Sequence, residues 1–280
     1  MIARKDVQIL ARFGDYHMHT TFCDGRQSPE QMLLAALAAG AKNIGFSAHA
    51  PVPYADTWHM PPENEVPYRA EIARLQALYG DRIALWCGTE ADGETVADLS
   101  RYDYVIASMH TLFFGQERCV VDYSPAVSRK TVQQHFGGDW YAYCRAYYRA
   151  LAALPDRIRA DVIGHFDLCA KFNEAAPCFD EEDLRYQAAA KEVLSLLAQR
   201  DIPIEINTGA VFRGKRTVFY PRLSLLRFFA ACGGRVVLCS DAHGTDTIGY
   251  GFADACDYCR AAGLTAACVF DGKAFVPRPL

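Results

Sequence analysis

No apolar run in this 280-residue chain approaches the roughly 20 residues that a bilayer-spanning helix needs. The opening residues, Met1-Ile2-Ala3-Arg4-Lys5-Asp6, contain no apolar segment of the kind that directs secretion. The expected location is therefore the cytoplasm. Blocks of like charge are also missing, and 29 Lys and Arg nearly balance 33 Asp and Glu for a net charge of −4. That balance argues against nucleic acid or an anionic membrane as the main partner. There is no low-complexity segment, no fixed-period repeat and no Pro/Ser-rich linker, so residues 1–280 read as one large α/β domain. A G-x-x-x-x-G-K-[ST] loop and a G-x-S-x-G elbow are both absent. Their absence excludes P-loop nucleotide handling and hydrolysis at a nucleophile elbow.

Cysteine, by contrast, is plentiful. The eleven cysteines are odd in number and irregularly spaced. They read as small buried hydrophobes in a reducing compartment rather than a disulfide framework. Cys256 and Cys259 form a C-x-x-C inside a predicted helix with no second pair nearby, which argues against a zinc knuckle or redox motif there.

Strand and helix patterns alternate along the chain. Strands are expected at 14–19, 44–47, 83–90, 104–108, 162–164, 202–206 and 236–239, with a last apolar run at 265–270. Helices are expected from a Ser28 cap and Pro29 to Gly40, then at 65–79, 139–154, 181–200, 221–232 and 246–262. Residues 111–138 read as a long irregular loop. Alternating β and α elements imply a parallel sheet. Seven strands that each end in a polar residue favour a closed barrel with its chemistry at the C-terminal strand ends. A doubly wound open sheet would gather ligands from fewer strands.

Those strand ends carry His17, His19, His49, Glu90, His110, His165, Asp241 and His243, which include six of the eight histidines. Alternate residues of a strand share a face, so His17 and His19 point the same way. Imidazoles mixed with carboxylates suit zinc, manganese or iron, and Glu90 could bridge two such ions. Without cations, so many buried carboxylates would repel one another.

The chain resembles the polymerase and histidinol phosphatase (PHP) superfamily, most closely its monofunctional histidinol-phosphatase branch. The segments that carry the resemblance begin with Asp15-Tyr16-His17-Met18-His19-Thr20-Thr21-Phe22-Cys23-Asp24-Gly25, Gly45-Phe46-Ser47-Ala48-His49-Ala50-Pro51 and Gly88-Thr89-Glu90-Ala91-Asp92. Ala107-Ser108-Met109-His110, Ile163-Gly164-His165-Phe166-Asp167-Leu168, Glu205-Ile206-Asn207-Thr208-Gly209-Ala210 and Ser240-Asp241-Ala242-His243 follow in family order. The resemblance implies a distorted (β/α)7 TIM-like barrel of the PHP type holding two to three divalent ions (Zn, Mn or Fe). It implies that His17, His19, Glu90 and Asp241 hold a first ion. Glu90, His110 and His165 would hold a second, and Asp24, His49 and His243 a third. Other branches place a histidine near Asp24, and this branch usually has glycine at the position of Ala107, where a small packing effect is expected. The implied activity is hydrolysis of L-histidinol phosphate in histidine biosynthesis, with Glu90, Asp241 and His243 catalytic.

Phosphate-monoester hydrolysis needs large charge stabilisation, which paired cations supply. A small phosphorylated substrate also needs side-chain cations. Arg213 and Arg216, after the sixth strand, and Lys171, after the fifth, are the candidates. Asp92, Glu94 and Glu205 are candidates to pair with a substrate ammonium. His59 and His135 lie in the two long loops and read as surface or substrate-side residues. Three other readings stand beside this one: a barrel deaminase or amidohydrolase, a phosphoesterase for nucleotides or sugar phosphates, and a non-catalytic metal-binding module.

Overall fold

The computed structural model describes residues 3–280. Its strands are β1 (Asn43–Phe46), β2 (Ala84–Cys87), β3 (Thr89–Ala91), β4 (Val105–Ala107), β5 (Thr111–Phe114), β6 (Glu117–Val120), β7 (Val162–Ile163), β8 (Ile204–Asn207), β9 (Val236–Cys239), β10 (Ala266–Phe270) and β11 (Phe275–Pro279). The helices are α1 (Arg4–Phe13), α2 (Pro29–Ala38), α3 (Glu65–Tyr79), α4 (Pro125–Phe136), α5 (Trp140–Arg157), α6 (Leu184–Gln199), α7 (Gly209–Phe212), α8 (Leu223–Ala231) and α9 (Phe252–Ala261).

One sheet runs β11-β10-β9-β8-β7-β4-β3, parallel from β3 through β10, and β1 pairs with β2 in a second parallel ladder. The expected single strand at 83–90 is broken at Gly88 into β2 and β3. There the chain leaves one ladder for the other. Gly88 sits against Tyr104, and a Cβ on it would lie 2.3 Å from the Tyr104 ring. Tyr104 fills that interior space and donates its hydroxyl to the carbonyl of Tyr16 at 2.5 Å.

The expected first strand forms single bridges rather than a ladder. Asp15 bridges Ile44 and Met18 bridges Ala242; past β1, a further single bridge joins His49 to Glu90. Backbone bonds from Gly45 to Asp15, from Ala242 to His17 and from His19 to Ala242 link that segment to β1 on one side and to the chain after β9 on the other. The circuit of parallel neighbours is thereby joined, with its distortion concentrated at residues 15–19. Asp15 reinforces the joint by accepting from the backbone of Ser240 at 3.1 Å and of Gly249 at 3.0 Å.

Helix starts follow local signals. Ser28 and Gln31 exchange side-chain to backbone bonds in a capping box at α2. Asp139 caps α5 and Asp183 caps α6. Further elements depart from the sequence expectation. Residues 111–138 are not irregular: they form the β5–β6 hairpin, turned at Gly115 with φ 63°, and then α4, which starts at a Ser124 cap and Pro125. Such two-residue turns with positive φ and Ser-Pro starts are local signals, present here but short. The helix α1 precedes the first strand, and β11 pairs back on β10. The last helix begins at Phe252 because residues 244–251 are taken up by turns.

One core cluster runs from Leu10 to Phe275 and includes residues from every barrel strand except β3. All eleven cysteines are free, and Cys256 and Cys259 are buried along α9. Among the described residues no helix is long and apolar enough to cross a membrane.

Candidate metal centre

Five strands contribute ligand candidates, within the strand or just past its C-terminal end. His49 follows β1, Glu90 lies in β3, His110 follows β4, His165 follows β7, and Asp241 and His243 follow β9. Asp24 comes from the turn before α2. Asp241 has φ 52°, a left-handed backbone tolerated by few residues other than Gly, Asn and Asp, which aims its carboxylate back at His17 and His19.

All nine sequence-derived ligand candidates converge. His17 Nε2 is 3.2 Å from Glu90 Oε2, and His49 Nδ1 is 3.0 Å from the same oxygen. His19 Nε2 is 3.3 Å from Asp241 Oδ1, and His243 Nε2 is 3.3 Å from Asp24 Oδ2. On the other face of Glu90, Oε1 lies 2.9 Å from His165 Nε2 and 3.4 Å from His110 Nε2. Ligands on a tetrahedral ion with bonds of about 2.0–2.1 Å are about 3.3–3.4 Å apart. The observed spacings are of that size.

Hydrogen bonding makes the same case. His17 Nε2, His19 Nε2, His49 Nδ1, Asp24 Oδ1 and Glu90 Oε2 are buried without a hydrogen-bond partner. An unsatisfied buried polar atom costs about 1–3 kcal/mol. Five in one cluster mark a place where cations, not protein groups, are the partners. The residues present therefore fit a divalent metal centre. They group as His17, His19 and Asp241; as His49, Glu90 and His110; and as His19, Asp24, His49 and His243. Two residues fall in two groups each: His19 lies with His17 and Asp241 and also with Asp24 and His243, and His49 lies with Glu90 and His110 and also with Asp24.

Behind these side chains lies an orienting layer that includes two of the candidates for the substrate amine. Glu205 Oε2 meets His17 Nδ1 at 2.7 Å, and Asn207 donates to its other oxygen at 2.7 Å. Asp92 accepts from the His110 backbone at 2.9 Å and contacts His110 Nδ1 at 3.0 Å and His59 Nε2 at 3.2 Å. His59 is in turn held by Asp56 at 2.7 Å. Carboxylates in this position fix imidazole tautomer and orientation. Glu94 pairs with Arg157 on a different surface. None of the three lines the cavity that opens onto the cluster. Gly164 serves the centre by its size. A Cβ there would lie 2.2 Å from Ser108 Oγ, which donates to Glu90 Oε1 at 2.6 Å. Ala107, in the position the family usually gives to glycine, is fully buried.

A cavity of about 330 Å³ opens onto the cluster, lined among others by Trp58, Asp122, Tyr123, Lys171, Arg213 and Tyr220. Arg213 uses two N–H groups on Asp241, at 2.8 Å to Oδ2 and 3.2 Å to its carbonyl. Lys171 pairs with Asp122 at 2.8 Å. Arg216 is not brought to the cavity. It is buried against Glu181 at 2.9 Å and the Ala170 carbonyl at 3.1 Å. Asp122 was not singled out by sequence because it follows a hairpin that read as loop.

Charge inside the cluster is balanced unevenly. Burial alone would raise the Glu90 carboxyl, but His17, His49 and His110 hold it well below the usual range. Burial opposes a charge on His110, yet Asp92 and Glu90 raise it to about 10. Burial also opposes a charge on His17, and Glu205 and Glu90 outweigh it to raise its pKa well above the ordinary value. His19, buried and close to His243 and His49, falls to about 3. Without metal, His110 thus carries a proton near neutral pH, and a bound ion must displace protons from such imidazole ligands. Metal loading near pH 7 should release about one proton or more, and affinity should weaken as pH falls. Calorimetric titration with Zn²⁺ in buffers of different ionisation enthalpy measures this. Identical heats in every buffer would contradict it.

Residues 15–209 match the PHP domain family. The chain is 32% identical over 263 residues to a "Probable histidinol-phosphatase" of Deinococcus radiodurans, covering 89% of this chain and 93% of that protein. It is 27% identical over 277 residues to a "Probable histidinol-phosphatase" of Schizosaccharomyces pombe, covering 91% and 88%. Its fold superposes on a histidinol phosphate phosphatase from Lactococcus lactis, solved in complex with zinc, L-histidinol and phosphate. That match has a TM-score of 0.72 at 24% identity, over 94% of this chain and 98% of that one.

Proposed function

This chain belongs to the PHP domain family, and on that premise we propose that it is a metal-dependent phosphomonoesterase that hydrolyses L-histidinol phosphate to L-histidinol and phosphate. The observation that carries the reading is the convergence of nine ligand-competent side chains on a cavity that also contains an arginine, in a chain whose curated relatives are histidinol-phosphatases. We assign two to three divalent ions of the zinc, manganese or iron class to the cluster. The whole chain acts as a single domain, a reading supported by its one large core.

Bound divalent ions polarise the phosphoryl group and lower the pKa of water. The protein's own side chains do the rest. Glu90 and Asp241 place negative charge where the cations sit. Asp241 and His243, with His243 Nδ1 3.0 Å from the Asp241 carbonyl, both line the cavity in which a proton passes from the attacking water to the leaving alcohol. Arg213 keeps N–H groups free of Asp241 and offers them to phosphate oxygens. Lys171 is the second cation at the cavity, and Asp122 beside it receives the substrate ammonium. Trp58, Val120 and Leu168 give the imidazole of the substrate an apolar wall.

Phosphate release from L-histidinol phosphate, measured against nucleotide and sugar monoesters with metal content assayed on the same sample, tests the assignment. A preference for any other monoester would overturn it. Arg213→Ala should cost about 1.5–3 kcal/mol in kcat/KM, the scale of a charged hydrogen bond, and Arg213→Lys should recover only part. Asp122→Asn should raise KM about tenfold for histidinol phosphate. It should leave an amine-free monoester unaffected, and an equal loss on both substrates would remove Asp122 from amine recognition.

A further inference from the structure

We propose that Glu117, Cys119 and His135 form a second metal site, separate from the barrel cluster, for a single divalent ion of the zinc class. Glu117 and Cys119 lie on the same strand, β6, two residues apart, so both side chains project from one face. His135 is in the last turn of α4, which packs against that strand. The carboxylate, thiol and imidazole atoms lie within 4.8 Å of one another.

The imidazole is aimed at this point. Its ring stacks on Phe114 of β5, with centroids 4.0 Å apart and planes 10° from parallel. His135 Nε2 is 3.2 Å from Glu117 Oε2, about the edge of a tetrahedron with metal bonds of roughly 2.0–2.1 Å. Nε2 is buried and makes no hydrogen bond, although it stands within ion-pair distance of Glu117. Glu117 is itself oriented by Gln134 Nε2 at 2.9 Å, as ligating carboxylates usually are. Cys119 supplies the soft donor that selects zinc over magnesium or calcium. Burial raises its thiol pKa, but a coordinated divalent ion deprotonates a thiol outright. Glu117 is 41% exposed, which leaves a coordination position open to water.

A bound ion would tie β6 to α4. Val120 at the end of β6 lines the barrel cavity, as do Asp122 and Tyr123 between β6 and α4. Occupancy would therefore stiffen the wall that carries Asp122, without adding a ligand to the catalytic cluster.

The test uses the full chain, stripped of metal and reloaded with Zn²⁺ or Co²⁺. Wild type should bind about one equivalent of zinc more than Cys119→Ser or His135→Ala. With Co²⁺ it should show a thiolate-to-metal charge-transfer band that Cys119→Ser abolishes. Cys23 is the thiol nearest the barrel histidines, with Sγ 3.5 Å from His19 Nδ1. Cys23→Ser should keep the band. Glu117→Gln, on the solvent side, should retain the wild-type melting curve without metal and bind the extra zinc at least tenfold more weakly. Equal zinc content in wild type and all variants would overturn the site. So would a band that survives Cys119→Ser or disappears in Cys23→Ser.

Discussion

Glu90→Gln is expected to lower kcat by about a hundredfold or more, the scale seen when one preorganised charge-stabilising group is removed. Gln has nearly the same shape, so the loss reports charge and lone pairs rather than packing. Glu90 presents both oxygens to imidazoles. Oε2 faces His17 at 3.2 Å and His49 at 3.0 Å, while Oε1 faces His165 at 2.9 Å and accepts from Ser108 at 2.6 Å. An amide keeps one oxygen only. Whichever way it turns, its NH₂ group faces one of the two sets and takes no part in holding a cation there. Turnover at saturating metal, with elemental analysis of the same sample, is the measurement. Near wild-type kcat at full metal content would show that Glu90 does not bridge.

Arg216→Ala is expected to destabilise the fold by about 3–5 kcal/mol, because it leaves a buried carboxylate without its main partner. The Arg216 side chain is 1% exposed and Glu181 is 5% exposed, with 2.9 Å between them. Arg222 also reaches Glu181, at 3.0 Å, and places the effect toward the lower end of that range. The urea midpoint should fall with little change in m-value, while KM of the folded fraction stays near wild type. Arg213→Ala should give the opposite signature, a kinetic loss with the midpoint nearly unchanged. An unchanged midpoint with raised KM in Arg216→Ala would instead return Arg216 to the phosphate.

These two arginines show where sequence reasoning reached its limit. Arg213 and Arg216 stand three residues apart in a short basic segment, and nothing local separates them. Arg213 turns to Asp241, 28 residues later, whereas Arg216 turns to Glu181, 35 residues earlier. The same holds for the acids. Asp92 and Glu205 carry the right charge for an ammonium, but each lies behind the candidate metal cluster and is taken up by one of its histidines. The carboxylate that lines the cavity from outside the candidate ligand set, Asp122, follows a hairpin whose two four-residue strands were too short to register as a pattern.

The sequence by itself determined the alternation of strands and helices, the parallel sheet, the capped start of α2, and the candidate ligands at the strand ends. These follow from period, capping chemistry and the fixed direction of side chains along a strand, all of which act within a few residues. Only the tertiary structure decided how the ligands group and how the barrel is joined through single bridges at residues 15–19. It also decided which cation reaches the cavity and how Glu117, Cys119 and His135 meet. Those depend on contacts between segments tens to hundreds of residues apart, where side-chain direction is set by packing rather than by local periodicity.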